Sequence, residues 1–268
     1  MTVYVAKECI KSASGALFLR LLLIMQAKQP TSKPASGDSP ACFAAGTLVH
    51  AEHGPVPIES LKIGDLVYTK AAPGAEKVLR KVTNTFVRYN KILWHVGVAA
   101  FFKIEPSVQE PADTGFDSLV VTADHPFWIK NYGWCPVDEI VYGEQVDTNR
   151  DDLDGGIVTM LYPILRHESG PNIGWTGNFT ANSPMEARGY LIDFDNEPPK
   201  VINKQAGPNS KYFRKLGLPC DWERDAYRAD VYNIEVEEFH SYFVGTLGIW
   251  VHAADYSSNP PHVVGENG

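Results

Sequence analysis

One cysteine, one threonine and three histidines in this 268-residue chain have the types and spacing for acyl chemistry. Cys42 stands just past a flexible stretch and just before Thr47-Leu48-Val49, where a thiol is expected to be accessible and, as thiolate, nucleophilic. Taken alone, a cysteine in this company is more often an inert, buried residue. The segment Thr122-Ala-Asp-His125-Pro-Phe-Trp sets a hydroxyl and an imidazole at a strand end with two residues between them. The hydroxyl can orient a carbonyl there, and the imidazole can donate to a departing amide nitrogen. His240 lies beyond a turn after Val231-Tyr-Asn-Ile-Glu-Val236 and can swing toward a site, and His252 closes a second apolar strand, Leu247-Gly-Ile-Trp-Val.

These groups are useful only if the elements carrying them converge. From Cys42 to about Val146 the chain is a series of short β-branched and aromatic runs separated by Gly, Pro and Asn. Thr47–Val49, Leu66–Tyr68, Val82–Tyr89, Leu93–Val98 and Leu119–Thr122 read as strands with turn chemistry between them, which predicts an all-β fold. Residues 54–69 (GPVPIESLKIGDLVYT) lie without gaps over residues 133–148 (GWCPVDEIVYGEQVDT), with Gly, Pro, Gly, Val and Thr in register. Two copies of one supersecondary unit predict an internal pseudo-two-fold. Residues 149–228, rich in Asp, Gly, Asn and Pro, read as an insertion, loop-rich or a small β subdomain, with strand-like islands at 157–165 and 190–194. Strand texture returns at 229–236 and 241–251. Residues 254–268 read as a tail too short to fold alone.

Composition removes several functions. A net charge of -8 argues against a nucleic-acid partner, which would want a basic face. No apolar run reaches the roughly 18 residues of a membrane span. Residues 15–25 (GALFLRLLLIM) resemble a signal-peptide core, but Arg20 interrupts them and Ala27-Lys28-Gln29 is a poor cleavage site. A short amphipathic helix ahead of a Pro-, Ser- and Lys-rich linker at 26–40 is the simpler reading. Cys9, Cys42, Cys135 and Cys220 form no CxxC pair, so no structural zinc site is called for, and nothing in their spacing demands disulfides. Asn178-Phe-Thr180 matches a glycosylation sequon, a short motif with a high rate of coincidence.

Taken together, CFAAGTLVHAEHGPVPIESLKIGDLVYT, TADHPFWIKNYGWCPVDEI and VYNIEVEEFHSYFVGTLGIWVHA resemble the blocks of Hint (hedgehog/intein) domains, in family order. They are most similar to the pre-toxin Hint type of bacterial polymorphic toxins. The resemblance covers 42–148 and 229–253, leaving 1–41 as flank and linker and 149–228 outside it. It implies a horseshoe-like all-β domain with internal pseudo-two-fold symmetry. It also implies a reaction: Cys42 attacks the Ala41 carbonyl and converts the peptide bond to a thioester by an N–S acyl shift. By the same resemblance Thr122 and His125 strain and protonate that bond, and His240 is a candidate base. The substrate is then the chain's own N-terminal flank, and water or a small nucleophile resolves the thioester, with no cofactor and no metal.

Two positions depart from the pattern. Ala253 stands where inteins place the Asn that cyclises and cuts the C-terminal junction, and Ala254 follows, so splicing by the usual route is not expected. That leaves His252 structural or vestigial. Asn233 occupies the place of an Asp and removes a possible proton acceptor. The expected activity is therefore single-turnover cleavage at Ala41–Cys42. A degenerate Hint module with a structural or interaction role in a larger toxin-like protein is the alternative. A metal-dependent hydrolase built on His125, His240 and His252 is a third reading, weakened by the lack of HxH or HExxH spacing.

Overall fold

Strand-forming runs between Gly, Pro and Asn turns give the described part of the chain its architecture. The computed structural model describes residues 41–102, 115–177, 189–206 and 222–253. The helix read at 15–25, the linker at 26–40, Cys9, Cys220, the sequon at Asn178 and the tail from Ala254 lie outside the described residues. The strands are β1 (Phe43–Ala44), β2 (Leu48–Ala51), β3 (Gly54–Pro57), β4 (Leu66–Thr69), β5 (Val78–Ile92) and β6 (Trp94–Phe102). There follow β7 (Phe116–Val121), β8 (Pro126–Ile129), β9 (Gly133–Pro136), β10 (Gln145–Val146) and β11 (Leu153–Pro163). Then come β12 (Leu165–Arg166), β13 (Ile173–Gly177), β14 (Gly189–Asp193) and β15 (Lys200–Ala206). After one helical turn at Trp222–Asp225 the last described strands are β16 (Arg228–Val236), β17 (Ser241–Val244) and β18 (Ile249–His252). The fold is all-β, as the residue pattern predicts.

One sheet of 14 strands runs β10-β11-β6-β7-β1-β16-β5-β4-β2-β17-β18-β8-β9, with β3 on β2 and β10 returning to β8. A second sheet, β12-β13-β14-β15, has four strands. The stretch read as an insertion therefore divides. Its first part, β11, belongs to the large sheet and pairs with β6 from Leu153↔Phe102 to Pro163↔Trp94. Only β12 to β15 form a sheet of their own. The strand-like island at 157–165 is most of β11, and only its Leu153-Asp-Gly-Gly156 start, which has the composition of a loop, hid its full length and its place in the large sheet.

The repeat is realised bond for bond. In each copy a strand (β3, β9) runs into one 3₁₀ turn (Ile58–Ser60, Val137–Glu139) and then into a short strand (β4, β10). Leu61 N–H donates to Ile58 O in the first copy, and Ile140 N–H to Val137 O in the second. Gly64 N–H donates to Val82 O at 2.8 Å, and Gly143 N–H to Val158 O at 2.8 Å. Both glycines take positive φ, 100° and 90°, which a side chain disfavours. The acidic residue one place on, Asp65 or Glu144, accepts from the backbone N–H of Lys62 or Val141.

Apolar faces of the large sheet close on one core that includes Phe43, Val49, Val67, Phe127, Val137, Ile234, Tyr242 and Val251. Burying each such side chain contributes roughly 1.5–3 kcal/mol. A second cluster joins Cys42, Ala44, Leu93, Val120 and Val231 of the large sheet to Ile164 and to Ile192 of β14. The small sheet thus packs on the face that carries Cys42. Its β14–β15 turn reaches Gly46, where φ is +76° and an added Cβ would lie 2.2 Å from Pro198 N. Gly46→Ala is accordingly expected to destabilise the fold by about 1–3 kcal/mol. Urea unfolding measures this, and an unchanged midpoint would show that the small sheet does not press on this turn.

Candidate active site

The position of Cys42 follows from sheet register. β1 is antiparallel to β7 with Phe43 opposite Val121, and antiparallel to β16 with Phe43 opposite Tyr232 and Ala44 opposite Val231. One step outward along both pairings, Cys42 lies between Thr122 and Asn233. Thr122 N–H donates to Cys42 O at 2.9 Å, and Cys42 N–H donates to Thr122 Oγ1 at 3.0 Å. The Thr122 hydroxyl donates its own hydrogen bond to Asp124 Oδ1 at 2.6 Å. The nitrogen of the Ala41–Cys42 bond is thus gripped by the hydroxyl of the TADH segment. In this geometry Thr122 accepts from that nitrogen and does not protonate it.

On the other side, Asn233 Nδ2 donates to Ala41 O, the oxygen of the same peptide bond. Asn233 Oδ1 accepts from Tyr242 Oη at 2.6 Å and from Ile234 N at 2.7 Å. From the sequence, Asn233 counts only as the loss of a proton acceptor. The structure gives it a donor aimed at the junction, and the difference is which end of the amide faces Ala41. Asn233, Tyr242 and Asp124 are the site residues that sequence reasoning missed. A signal existed in Asn233, a polar residue at an inward position of a half-buried strand, where a buried amide must find partners.

His125 is fully buried. The turn bond from His125 N to Thr122 O and the bond from Val137 N to His125 O anchor its backbone. Its ring packs on Phe43, with centroids 4.2 Å apart. Neither ring nitrogen makes a hydrogen bond of ordinary geometry, although the backbones of Ala41 and His252 lie close enough to favour a proton there. Desolvation dominates, with the nearby His252 adding to it, and lowers the His125 pKa to about 3. Because β8 pairs with β18 through Phe127↔Val251, the register continues to bring His125 opposite Ala253.

His252 stays near His125, with its ring edge-on to Trp134 at 5.0 Å and its Nδ1 2.9 Å from Ala253 O. It belongs to a cluster in which Trp128, Trp134 and Trp250 pack within about 5 Å of one another, with Lys70 Nζ 4.5 Å from the Trp250 ring and 2.6 Å from Asp147 Oδ2. His240 is not brought to the site. It takes φ +48°, its side chain is 59% exposed, and its ring bonds to Glu235 Oε1. Only its backbone joins the neighbourhood, by accepting from Ala253 N–H at 2.6 Å. Among the described residues no cluster of His, Cys, Asp and Glu could hold a metal ion.

The expectation of an accessible thiol does not hold, because Cys42 is 0% exposed beneath the cluster that Ile164 and Ile192 complete. Burial first, and the Asp124 carboxylate second, push its pKa up to about 12, against the smaller pull of Arg88 and Lys91. Asp124 keeps an exposed edge, yet desolvation around its carboxyl raises its own pKa against the bond from Thr122. Thiol and imidazole are therefore both neutral at rest. What the arrangement can do is hold one peptide bond at its nitrogen and its oxygen, with a thiol on the next atom and an uncharged imidazole alongside.

Residues 41–134 match the family model described as Hint domain. Residues 41–134 therefore carry a Hint-type domain. Among solved structures it is similar to the bacterial intein-like domain from Clostridium thermocellum, at 19% identity over 80% of this chain and 99% of that one, with a TM-score of 0.44. It is also similar to a DnaB intein from Synechocystis sp. PCC 6803, at 12% identity, 80% and 99% coverage and a TM-score of 0.43. The gp41-1 intein has 12% identity, the same coverage and a TM-score of 0.40. None of the curated proteins compared with the chain matches it. No helix among the described residues is long and apolar enough to cross a membrane.

The depressed His125 pKa and the raised Cys42 pKa have opposite consequences for stability. Below the usual histidine pKa of 6.5 the unfolded chain takes up protons that buried His125, and His95 with its pKa lowered to about 4, refuse. Stability present above pH 6.5 therefore falls as the pH drops toward 3. Above the usual thiol value of 9.0 the unfolded chain loses a proton that Cys42 keeps, so stability falls again as the pH rises toward 12. His125→Gln is expected to flatten part of the acid limb, with His95 supplying the rest. Cys42→Ala should flatten part of the alkaline limb, the remainder coming from tyrosines whose pKa values burial also raises, fully buried Tyr242 among them. Urea midpoints from about pH 4 to about pH 11, roughly two units beyond the ordinary values, test both signs.

Proposed function

We propose that the domain cleaves its own chain at Ala41–Cys42 by an N–S acyl shift. The observation that carries this reading is the grip on that one peptide bond, with Thr122 Oγ1 on its nitrogen and Asn233 Nδ2 on its oxygen. Cys42 Sγ attacks the Ala41 carbonyl carbon, the S–C bond forms and the C–N bond breaks. The thiol proton ends on the nitrogen of Cys42, which becomes an amine. His125, neutral and beside the Ala41 backbone, is the group suited to receive that proton and return it. Water or a small thiol then resolves the thioester and releases residues 1–41. The autoprocessing unit is read as 42–148 with 229–253. Splicing is not part of the proposal, since Ala253 has no side chain able to cyclise.

The fully buried, protonated thiol and Ala253 favour a second reading, a degenerate Hint module that serves a structural or interaction role in a larger toxin-like protein. Intact mass separates the two. Dithiothreitol is expected to release residues 1–41 from the full chain and none from Cys42→Ala, and His125→Ala should slow release by roughly 10²–10⁴-fold. A chain that stays whole at every thiol concentration establishes the inert module.

The rate should also climb with pH. A thiol with its pKa near 12 gains thiolate about tenfold per pH unit between pH 6 and 9. His125 stays neutral across that range and adds no acid limb. Single-turnover cleavage at fixed thiol measures the slope, and a bell centred near pH 7 would contradict a neutral His125.

A further inference from the structure

Asn233 is nearly fully buried, and three contacts lock it. Tyr242 Oη and Ile234 N–H both donate to its Oδ1, at 2.6 Å and 2.7 Å, and Nδ2 donates to Ala41 O. An amide oxygen has two lone pairs, and both are used. Flipping the group would strand two buried donors and turn Oδ1 onto the Ala41 oxygen, acceptor against acceptor. Tyr242, itself fully buried and within the main core, fixes the tyrosyl side of this arrangement. The donor is thus in place before any reaction, in a site without bulk water.

Resting on the cleavage reading above, we propose that Asn233 is a catalytic residue of that reaction, the donor that stabilises the oxyanion formed on Ala41 O, with Tyr242 as its positioning residue. When Cys42 Sγ adds to the Ala41 carbonyl carbon, the π electrons move onto that oxygen, and the N–H of Asn233 already points at it. The charge collapses back when the C–N bond breaks, so Asn233 gains most in the tetrahedral state. A neutral amide suits this place. A carboxylate there would set a like charge against the oxyanion, and Asp124, the acidic neighbour of Thr122, acts on the nitrogen side through the Thr122 hydroxyl. The assignment gives the two β-strands beside Cys42 separate duties, β7 with its following turn holding the leaving nitrogen and β16 holding the oxygen.

The test uses the full chain with Asn233→Leu and Tyr242→Phe, each checked for an unfolding transition. At saturating dithiothreitol, Asn233→Leu is expected to slow cleavage by about 10²–10³-fold, and Tyr242→Phe, which keeps the ring and its packing, by about tenfold. A second measurement does not depend on cleavage. In the Cys42→Ala chain the carbonyl ¹³C resonance of Ala41 should move upfield when Asn233→Leu is added, and should not move in that direction with Thr122→Val. A folded Asn233→Leu or Tyr242→Phe chain that cleaves at the parent rate overturns the assignment. So does an Ala41 resonance that ignores Asn233. A parent chain that never cleaves, with an Ala41 resonance that does follow Asn233, overturns the cleavage reading instead and leaves the contact as a structural one.

Discussion

Two backbone pairings at Phe43, to Val121 and to Tyr232, decide where all of the chemistry lies. β1 is only two residues long, and it is hydrogen-bonded on both sides. Because side chains alternate with a period of two, a slip of one residue in either pairing would send Thr122 or Asn233 to the opposite face of the sheet. Phe43 guards against such a slip. Its ring sits in the main core and touches the His125 ring, while Phe127 and Tyr242 pack further out. The same side chain thus sets the register of the strand and the place of the imidazole.

What surrounds that strand is dry, and dryness sets the protonation states. With neither charge at rest, no free energy is spent on holding a buried thiolate–imidazolium pair beside the Ala41–Cys42 bond. It places dipoles around one peptide bond instead, which a low-dielectric site makes stronger than they would be in water. The small sheet is responsible for much of this. It packs Ile192, with Phe194 and Val201 at the margin, over the cluster that contains Cys42. Phe194 stacks on Tyr227 with centroids 3.9 Å apart, which ties that sheet to the segment leading into β16. The matched Hint region ends at residue 134, so the cover comes from a part of the chain outside it.

The far end of the domain is built as firmly as the near end. Asp117 on β7 caps the turn between β17 and β18, accepting from Thr246 N, Thr246 Oγ1 and Leu247 N at 2.7–2.9 Å. The backbone of the second repeat copy continues into Asp147, which bonds Lys70 and accepts from Trp250 N–H. These contacts deliver Ala253 and His252 to the neighbourhood of His125 even though Ala253 cannot cyclise.

Much of this was legible in the residues. Alternation of β-branched and aromatic residues with Gly and Pro turns is a local property, so the all-β fold, the strands at 82–89, 93–98 and 229–236, and the repeat of 54–69 at 133–148 could be read directly, whereas the run at 241–251 is split by a turn into β17 and β18. The pairing of a cysteine with a TxxH segment was likewise visible, because residue type and spacing are written in the chain. Exposure, orientation and partner choice are not local. Whether Cys42 meets solvent depended on a small sheet more than a hundred residues away. Which end of Asn233 faces Ala41 depended on Tyr242, nine residues on and across a turn. His240 looked available to the site until a positive φ and Glu235 held its ring at the surface. Sequence by itself determined which groups could act on an acyl bond. Tertiary structure alone decided which of them share one peptide bond, since hydrogen bonds and desolvation act over a few ångströms between residues that the chain keeps far apart.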